Sequence, residues 1–308
     1  MNLKKPKFWN HNKPNIYAYF LYPISILIQL INFFKQKKKK KKFKIKTICV
    51  GNIYIGGTGK TSLSIEIGEI FNQNNIKSCF IKKYYQNQID EQKILKKRGK
   101  LFLSSNRLNS IYHAEAAGYD VAILDDGLQD KSIYYDITFV CFNNVNWIGN
   151  GMTIPSGPLR ENIDNLKKYK HIFLNGNLEN LEQIKKEIEK INPETEIYVG
   201  KYIPVNLSEF NKDDNYLVFS GIGNHQTFVS MIKENNLKIL KEIEYPDHYH
   251  YSNDDINEIL RNASQLNCKI ITTEKDFFRI NHFNKDKIKF IKSKLKILDE
   301  KKLIKLIL

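Results

Sequence analysis

Cysteine is scarce in this chain. Cys49, Cys79, Cys141 and Cys268 serve 308 positions, none stand at metal-ligand spacing, and each lies in or beside an apolar run. That argues against a disulfide framework and a thiolate metal site, and it fits small core side chains in a reducing compartment. Acidic residues are also short, 33 against 49 Lys and Arg, which leaves a net charge of +16. Nine of these charges are the lysines at 35, 37–42, 44 and 46, so the excess is concentrated near one end. Such a block suits a local anionic surface better than a nucleic-acid stripe over a whole face. It also lacks interleaved stacking aromatics, since only Phe43 interrupts it, and no nucleic-acid partner is expected. No charge falls between Ile16 and Phe34, where Pro23, Ser25, Gln29 and Asn32 break an otherwise apolar and aromatic run. As a helix this run would be about 28 Å long, close to a bilayer core. No small-residue cleavage site follows it, which speaks against a signal peptide. A single span, a buried core helix and an interfacial helix with its lysines on anionic lipid remain. The polar breaks and Pro23 favour the interfacial helix.

What the chain does have begins at Gly51. The stretch Gly51-Asn52-Ile53-Tyr54-Ile55-Gly56-Gly57-Thr58-Gly59-Lys60-Thr61 lies between an apolar strand (45–50) and a helical pattern carrying Leu63, Ile65, Ile67, Ile70 and Phe71. Strand, glycine-rich turn and helix ending in Gly-Lys-Thr make a P-loop. Gly56, Gly57, Thr58 and Gly59 would turn backbone amides toward phosphate oxygens, Lys60 would reach the outer phosphates and Thr61 would face Mg2+. The strict spacing wants a glycine at 54, where this chain has tyrosine. Further on, the strand 121–124 ends in Asp125-Asp126-Gly127, the carboxylates expected beside a P-loop magnesium ion. A turn-capping Asp-Gly pair is the plainer alternative.

Strands are expected at 78–81, 101–103, 121–124, 137–142, 171–174 and 197–201, and helices at 94–101, 106–117 and 179–191. After a polar stretch at 208–215, strands at 217–220, 238–245 and 269–272 alternate with helices at 228–235 and 254–266, the last capped by Ser252 or Asn253. The fold class is therefore α/β: a P-loop NTPase-like parallel-sheet domain, a smaller C-terminal α/β lobe and an N-terminal membrane-associated helix. The expected boundaries are 1–43 for the helix and basic segment, 44–210 for the P-loop domain and 211–308 for the lobe.

Several phrases stand in a fixed order. After the P-loop come Asp90-Glu91, Asp125-Asp126-Gly127-Leu128-Gln129 and Gly157-Pro158-Leu159-Arg160-Glu161. Phe219-Ser220-Gly221-Ile222, Pro246-Asp247-His248 and Thr272-Thr273-Glu274-Lys275-Asp276 complete the set. Together they resemble the tetraacyldisaccharide 4′-kinase family, the lipid A 4′-kinases of Gram-negative bacteria, over nearly the whole chain. The resemblance implies transfer of the γ-phosphate of ATP, with Mg2+, to the 4′-hydroxyl of an acylated glucosamine disaccharide 1-phosphate. It implies a monomer at the cytoplasmic face of the inner membrane, on an anionic lipid surface, with two lobes closing over ATP. By the same resemblance Asp90 takes the proton of the attacking hydroxyl and His248 pairs with it. Lys60 steadies the transferring phosphoryl group, and Thr61 with Asp125 or Asp126 holds the metal. Arg107 and Arg160 are candidates for phosphate contacts, with Gln129 and Glu161 lining the substrate site.

The chain departs from the family in places. Its Ser-Arg-Gly-Tyr-Gly phrase is Ile81-Lys82-Lys83-Tyr84-Tyr85 here, which loses a bidentate arginine and two glycines. Asp130 replaces a histidine, Leu128 a phenylalanine, Gln92 a proline and Ser62 another proline. Two other readings compete with the kinase: a membrane-associated P-loop ATPase acting as a switch or partitioning factor, and a degenerate scaffold that only binds nucleotide. Neither needs Asp90.

Overall fold

A computed structural model of the chain describes residues 6–35, 40–85 and 88–308. The lysines at 37–39 of the basic block, and the side chains of residues 32–35 and of Asp90, lie outside what it describes. The described chain forms two compact units, residues 6–200 with 297–308, and residues 201–296.

The larger unit opens with helix α1 (Ile16–Lys35), started by Asn15, whose Oδ1 accepts from the Ala18 amide. Then follow β1 (Lys46–Gly51), α2 (Lys60–Gln73), β2 (Ser78–Lys83), α3 (Ile89–Arg98), β3 (Leu101–Ser104), α4 (Arg107–Ala116) and β4 (Val121–Asp125). After β5 (Ile137–Asn143) come β6 (His171–Asn175), α5 (Leu181–Ile191) and β7 (Glu196–Pro204). The spatial order is β7-β6-β5-β1-β4-β2-β3, every pair of neighbours parallel. Central strands such as β1 and β4 are buried nearly throughout, which is why they read as apolar runs without alternation. Val50 pairs with Asp125, so the P-loop and the Asp-Asp turn leave neighbouring strands at the same carboxyl-terminal edge. That edge is where open parallel sheets place their ligands.

The smaller unit holds β8 (Asn215–Ser220), α6 (His225–Glu234), β9 (Lys238–Glu244), α7 (Asn253–Gln265), β10 (Lys269–Thr273), α8 (Glu274–Arg279) and β11 (Ile288–Ile291). Its four strands run parallel in the order β11-β10-β8-β9. Edge strand β9 alternates exposed with half-buried residues, and three of its exposed positions are the charged Lys238, Glu242 and Glu244, which discourage pairing with other chains. Ser252 caps α7 in a reciprocal capping box with Asp255.

The sequence placed one boundary near 210. The chain instead leaves the larger unit at Gly200, within β7, and returns through β12 (Ser293–Ile297) to α9 (Glu300–Ile307). Leu303 and Ile307 of α9 are buried, and Lys46 Nζ donates to the Ile307 carbonyl at 2.5 Å. The N-terminal helix likewise belongs to the larger unit rather than standing apart. Asp90 lies in the first turn of α3, which starts five residues earlier than the pattern of apolar residues indicated.

Among the described residues no helix is long and apolar enough to cross a membrane. Helix α1 is arranged inside out. Ala18 and Ser25 are fully buried, two turns apart on one face, while Ile16, Tyr17, Phe20 and Leu27 are 78, 67, 83 and 59% exposed. Ser25 Oγ donates to the Thr153 carbonyl (2.9 Å) and meets Ser156 Oγ (2.8 Å), and Gln29 Nε2 donates to Thr153 Oγ1 (2.7 Å). Two of the polar breaks in the apolar run, Ser25 and Gln29, thus hold the helix to the protein. The cysteines are free; burial pushes the thiol of Cys79 up to about 12 and those of Cys49 and Cys141 further, so they are inert.

Candidate active site

The site is built at the carboxyl ends of β1 and β4. Gly59 stands at the N-cap of α2 with φ 77° and Gly56 at φ 123°, backbone that glycine adopts freely. Gly59 has no side chain to cap the helix, so the first amides of α2 are left for an anion. Inside the loop Asn52 Nδ2 donates to Thr58 Oγ1 at 2.9 Å, and Asn175 Nδ2 donates to the Thr58 carbonyl at 2.8 Å. Tyr54 is 2% exposed and forms a β-bridge with Leu159, flanked by hydrogen bonds from Ile55 N to Pro158 O and from Arg160 N to Ile53 O. Position 54 is therefore extended backbone braced by the 158–160 segment, and it needs no glycine. Gly56, Gly57, Thr58, Gly59, Lys60 and Thr61 form the loop and the first turn of α2, as the sequence indicated.

The two aspartates behave differently. Asp125 is fully buried; its Oδ2 accepts from Thr61 Oγ1 (3.2 Å) and from Lys82 Nζ (2.5 Å). Asp126 turns into the left-handed region (φ 58°) and presents Oδ1 to Arg160 Nη1 (3.0 Å) and Lys60 Nζ (3.7 Å). Burial works against its charge, but Lys60 and Arg160, with Lys82 and Arg107 behind them, outweigh it and hold the carboxyl at about 2.

Lys82, read from the sequence as a lost arginine contact, sits at the centre of the site. It is 2% exposed, and its ammonium also touches Glu91 Oε2 at 2.6 Å. Burial disfavours this charge; Asp125 and Glu91 outweigh it, so the lysine stays protonated well beyond its usual range. Arg107 is buried as well. Its Nη2 donates to the Asp126 carbonyl (2.6 Å) and its Nη1 lies 3.6 Å from Asp130, so in this structure it braces the turn rather than standing open as the expected phosphate contact. Asp130, which stands where the family phrase has histidine, accepts from Ser132 Oγ (2.6 Å).

Arg160 is the more open cation, bonded also to Gln129 Oε1 at 3.0 Å, while Gln129 Nε2 donates to the Asn52 carbonyl at 2.9 Å. Glu161 accepts from Lys131 Nζ (3.3 Å) and Tyr169 OH (3.2 Å). From here an open groove of about 1080 Å³ runs to α1, lined by Tyr22, Ile26 and Leu30 on one side and Lys131, Arg160 and Glu161 on the other. Polar groups at one end and an apolar helix at the other suit a molecule with a charged head and a greasy body.

In the smaller unit three of the phrases meet. Gly221 O accepts from the His248 amide (3.1 Å) and from Arg279 Nη1 (2.9 Å). Arg279 Nη2 lies 3.2 Å from His248 Nδ1; because arginine only donates, this fixes the Nε2–H tautomer of His248. Asp276, fully buried, holds Arg279 Nη1 (3.3 Å) and accepts from Thr273 Oγ1 and Tyr251 OH. His248 itself has φ 59°, the left-handed backbone also seen at Asp126. Strained backbone of this kind clusters at functional sites.

A parallel α/β sheet with a glycine-rich phosphate cradle, a lysine at the start of the following helix and a buried strand-end aspartate defines a P-loop nucleotide enzyme, and the adjoining groove marks one with a second substrate. Comparison with known proteins narrows this. Residues 17–308 match the family model for tetraacyldisaccharide-1-P 4′-kinase. The tetraacyldisaccharide 4′-kinase of Pelagibacter ubique is 60% identical, over 99% of both chains, and that of Rickettsia akari is 30% identical over 92% of this chain and 90% of its own. A crystal structure of LpxK from Aquifex aeolicus in complex with ATP superposes with a TM-score of 0.66 at 21% identity, covering 94% of this chain and 98% of that one, which shows a shared fold. The chain belongs to the tetraacyldisaccharide 4′-kinase family, and it functions as a lipid A 4′-kinase.

Proposed function

We propose that this chain moves the γ-phosphate of ATP to the 4′-hydroxyl of the acylated disaccharide 1-phosphate while docked, as a monomer, on the cytoplasmic face of the inner membrane. The observation that carries the reading is the single site in which Lys60, Thr61 and Asp125 adjoin a groove lined by α1. Lys60 and the α2 amides bind and steady the terminal phosphates. Thr61 Oγ1 and Asp125 Oδ2 stand 3.2 Å apart, close to the edge of an octahedron with ligands at about 2.1 Å, and so fit magnesium. When bound, that ion supplies charge neutralisation to the phosphates. Among the described residues no three His, Cys, Asp or Glu side chains gather into a metal cage, which fits an ion shared with phosphate oxygens and water. Arg160 and Glu161 orient the sugar end of the acceptor, and Arg107 keeps the Asp126 turn in place.

Asp90 is assigned the proton of the attacking hydroxyl, at the first turn of α3, and its pairing with His248 stands on the sequence phrases that carry both. The membrane assignment is supported by the outward apolar face of α1 and the lysines that follow it. The test is label transfer from γ-labelled ATP to the acylated disaccharide 1-phosphate in detergent micelles. Asp90→Ala should cut lipid labelling on the order of a hundredfold or more while nucleotide binding survives. ATP hydrolysis without labelled lipid, unchanged by Asp90→Ala, would instead describe a switch ATPase.

A further inference from the structure

We infer that Lys82 is a resident counter-ion: its ammonium stands between Asp125 and Glu91 where divalent charge would otherwise be needed, and it must give way when the metal enters. The inference rests on the reading of Thr61 and Asp125 as magnesium ligands. Asp125 Oδ2 already receives Thr61 Oγ1 at 3.2 Å and Lys82 Nζ at 2.5 Å, and the same Nζ is 2.6 Å from Glu91 Oε2. Two carboxylate oxygens, from β4 and α3, thus face one small cation, and the first of them is shared with Thr61 of α2. Lys82 is 2% exposed and Asp125 fully buried, so solvent cannot neutralise either. Remove the ammonium, and a buried carboxylate is left uncompensated beside a second one, a costly arrangement. A divalent ion on Asp125 meets the opposite problem, because a positive charge already occupies the oxygen it needs. Lysine suits such a placeholder. Its point charge sits on a flexible four-carbon stem and can withdraw, whereas an arginine fork held by two carboxylates would be harder to shift.

The experiment titrates Mn2+ by electron paramagnetic resonance into the nucleotide-free full chain. Lys82→Met removes the charge at similar volume and should bind Mn2+ about tenfold more tightly than the wild type, because a like charge has gone from the ligand oxygen. Lys82→Arg keeps the charge and should not gain affinity. If Lys82→Met is unfolded without metal, Mn2+ should restore its circular dichroism where potassium chloride of equal ionic strength does not. Equal or weaker Mn2+ binding by Lys82→Met, a gain shared by Lys82→Arg, or a Lys82→Met chain that Mn2+ cannot fold would each overturn the inference. Asp125→Asn separates the two readings. If it binds Mn2+ like the wild type, the metal assignment itself fails. If it loses Mn2+ while Lys82→Met binds no tighter, only the role of Lys82 fails.

Discussion

At Asp126 the backbone and the charge pull toward the same end. The residue accepts left-handed geometry, and in return its carboxylate meets Lys60 and Arg160. Its depressed titration has a stability consequence. Ionised Asp126 stabilises the fold above the unfolded value of 3.8, and that contribution is lost as pH falls toward about 2. At neutral pH it amounts to roughly 2 kcal/mol. Asp126→Asn should lose that much in urea unfolding at pH 7, and its deficit should shrink as pH is lowered from 4 toward 2. Residues like this were legible in the sequence because motif spacing ties them to backbone: Gly59, Lys60, Thr61, Asp125 and Asp126 all sit where a strand or helix ends. Lys82 and Arg279 were not. The family phrase marks Lys82 only as a lost arginine, and its central place emerges when β2 is set beside β4; Arg279 gains its meaning only when α8 brings it to His248.

Elements show the same division. Parallel strands declared themselves through apolar runs, and α7 through its capping residue, because those signals are local. Strands β11 and β12 and helix α9 escaped, being short and diluted with lysine, so that only their pairing and packing define them. The turn after β8 is governed by space. A Cβ at Gly221 would lie 3.0 Å from Tyr249 Cβ and 3.1 Å from both the Pro246 carbonyl and Tyr251 OH, the wall that carries His248. Gly221→Ala should therefore destabilise the smaller unit by about 1–3 kcal/mol, seen as a lower calorimetric midpoint for that unit, and should loosen the 246–251 loop in hydrogen exchange.

For the molecule as a whole, the outward face of α1 is an exposed apolar surface, with side chains such as Phe20 and Leu27 turned away from the protein. The full chain should co-sediment with anionic vesicles and release as salt rises, since lysine attraction is screened within about 10 Å at 0.1 M. Phe20→Asp, at a position 83% exposed, should weaken vesicle binding without lowering the melting temperature. Binding that is indifferent to both salt and Phe20→Asp would remove α1 from the membrane role. The sequence showed an apolar helix there; it could not show that Ser25 and Gln29 are its inner face, because their partners lie more than a hundred residues away. Those partners make one strap. Residues 153–156 grip α1, with Trp9 Nε1 bonded to the Pro155 carbonyl, and only two positions later 158–160 clamp the phosphate loop at Ile53 and Ile55. Helix α1 and the phosphate cradle are thus neighbours on one beam. A chain trimmed of its first forty residues for easier handling would shed more than an apolar surface: it would strip one side of the support against which the nucleotide loop is set, and any change in its grip on ATP would be a memory of the missing helix.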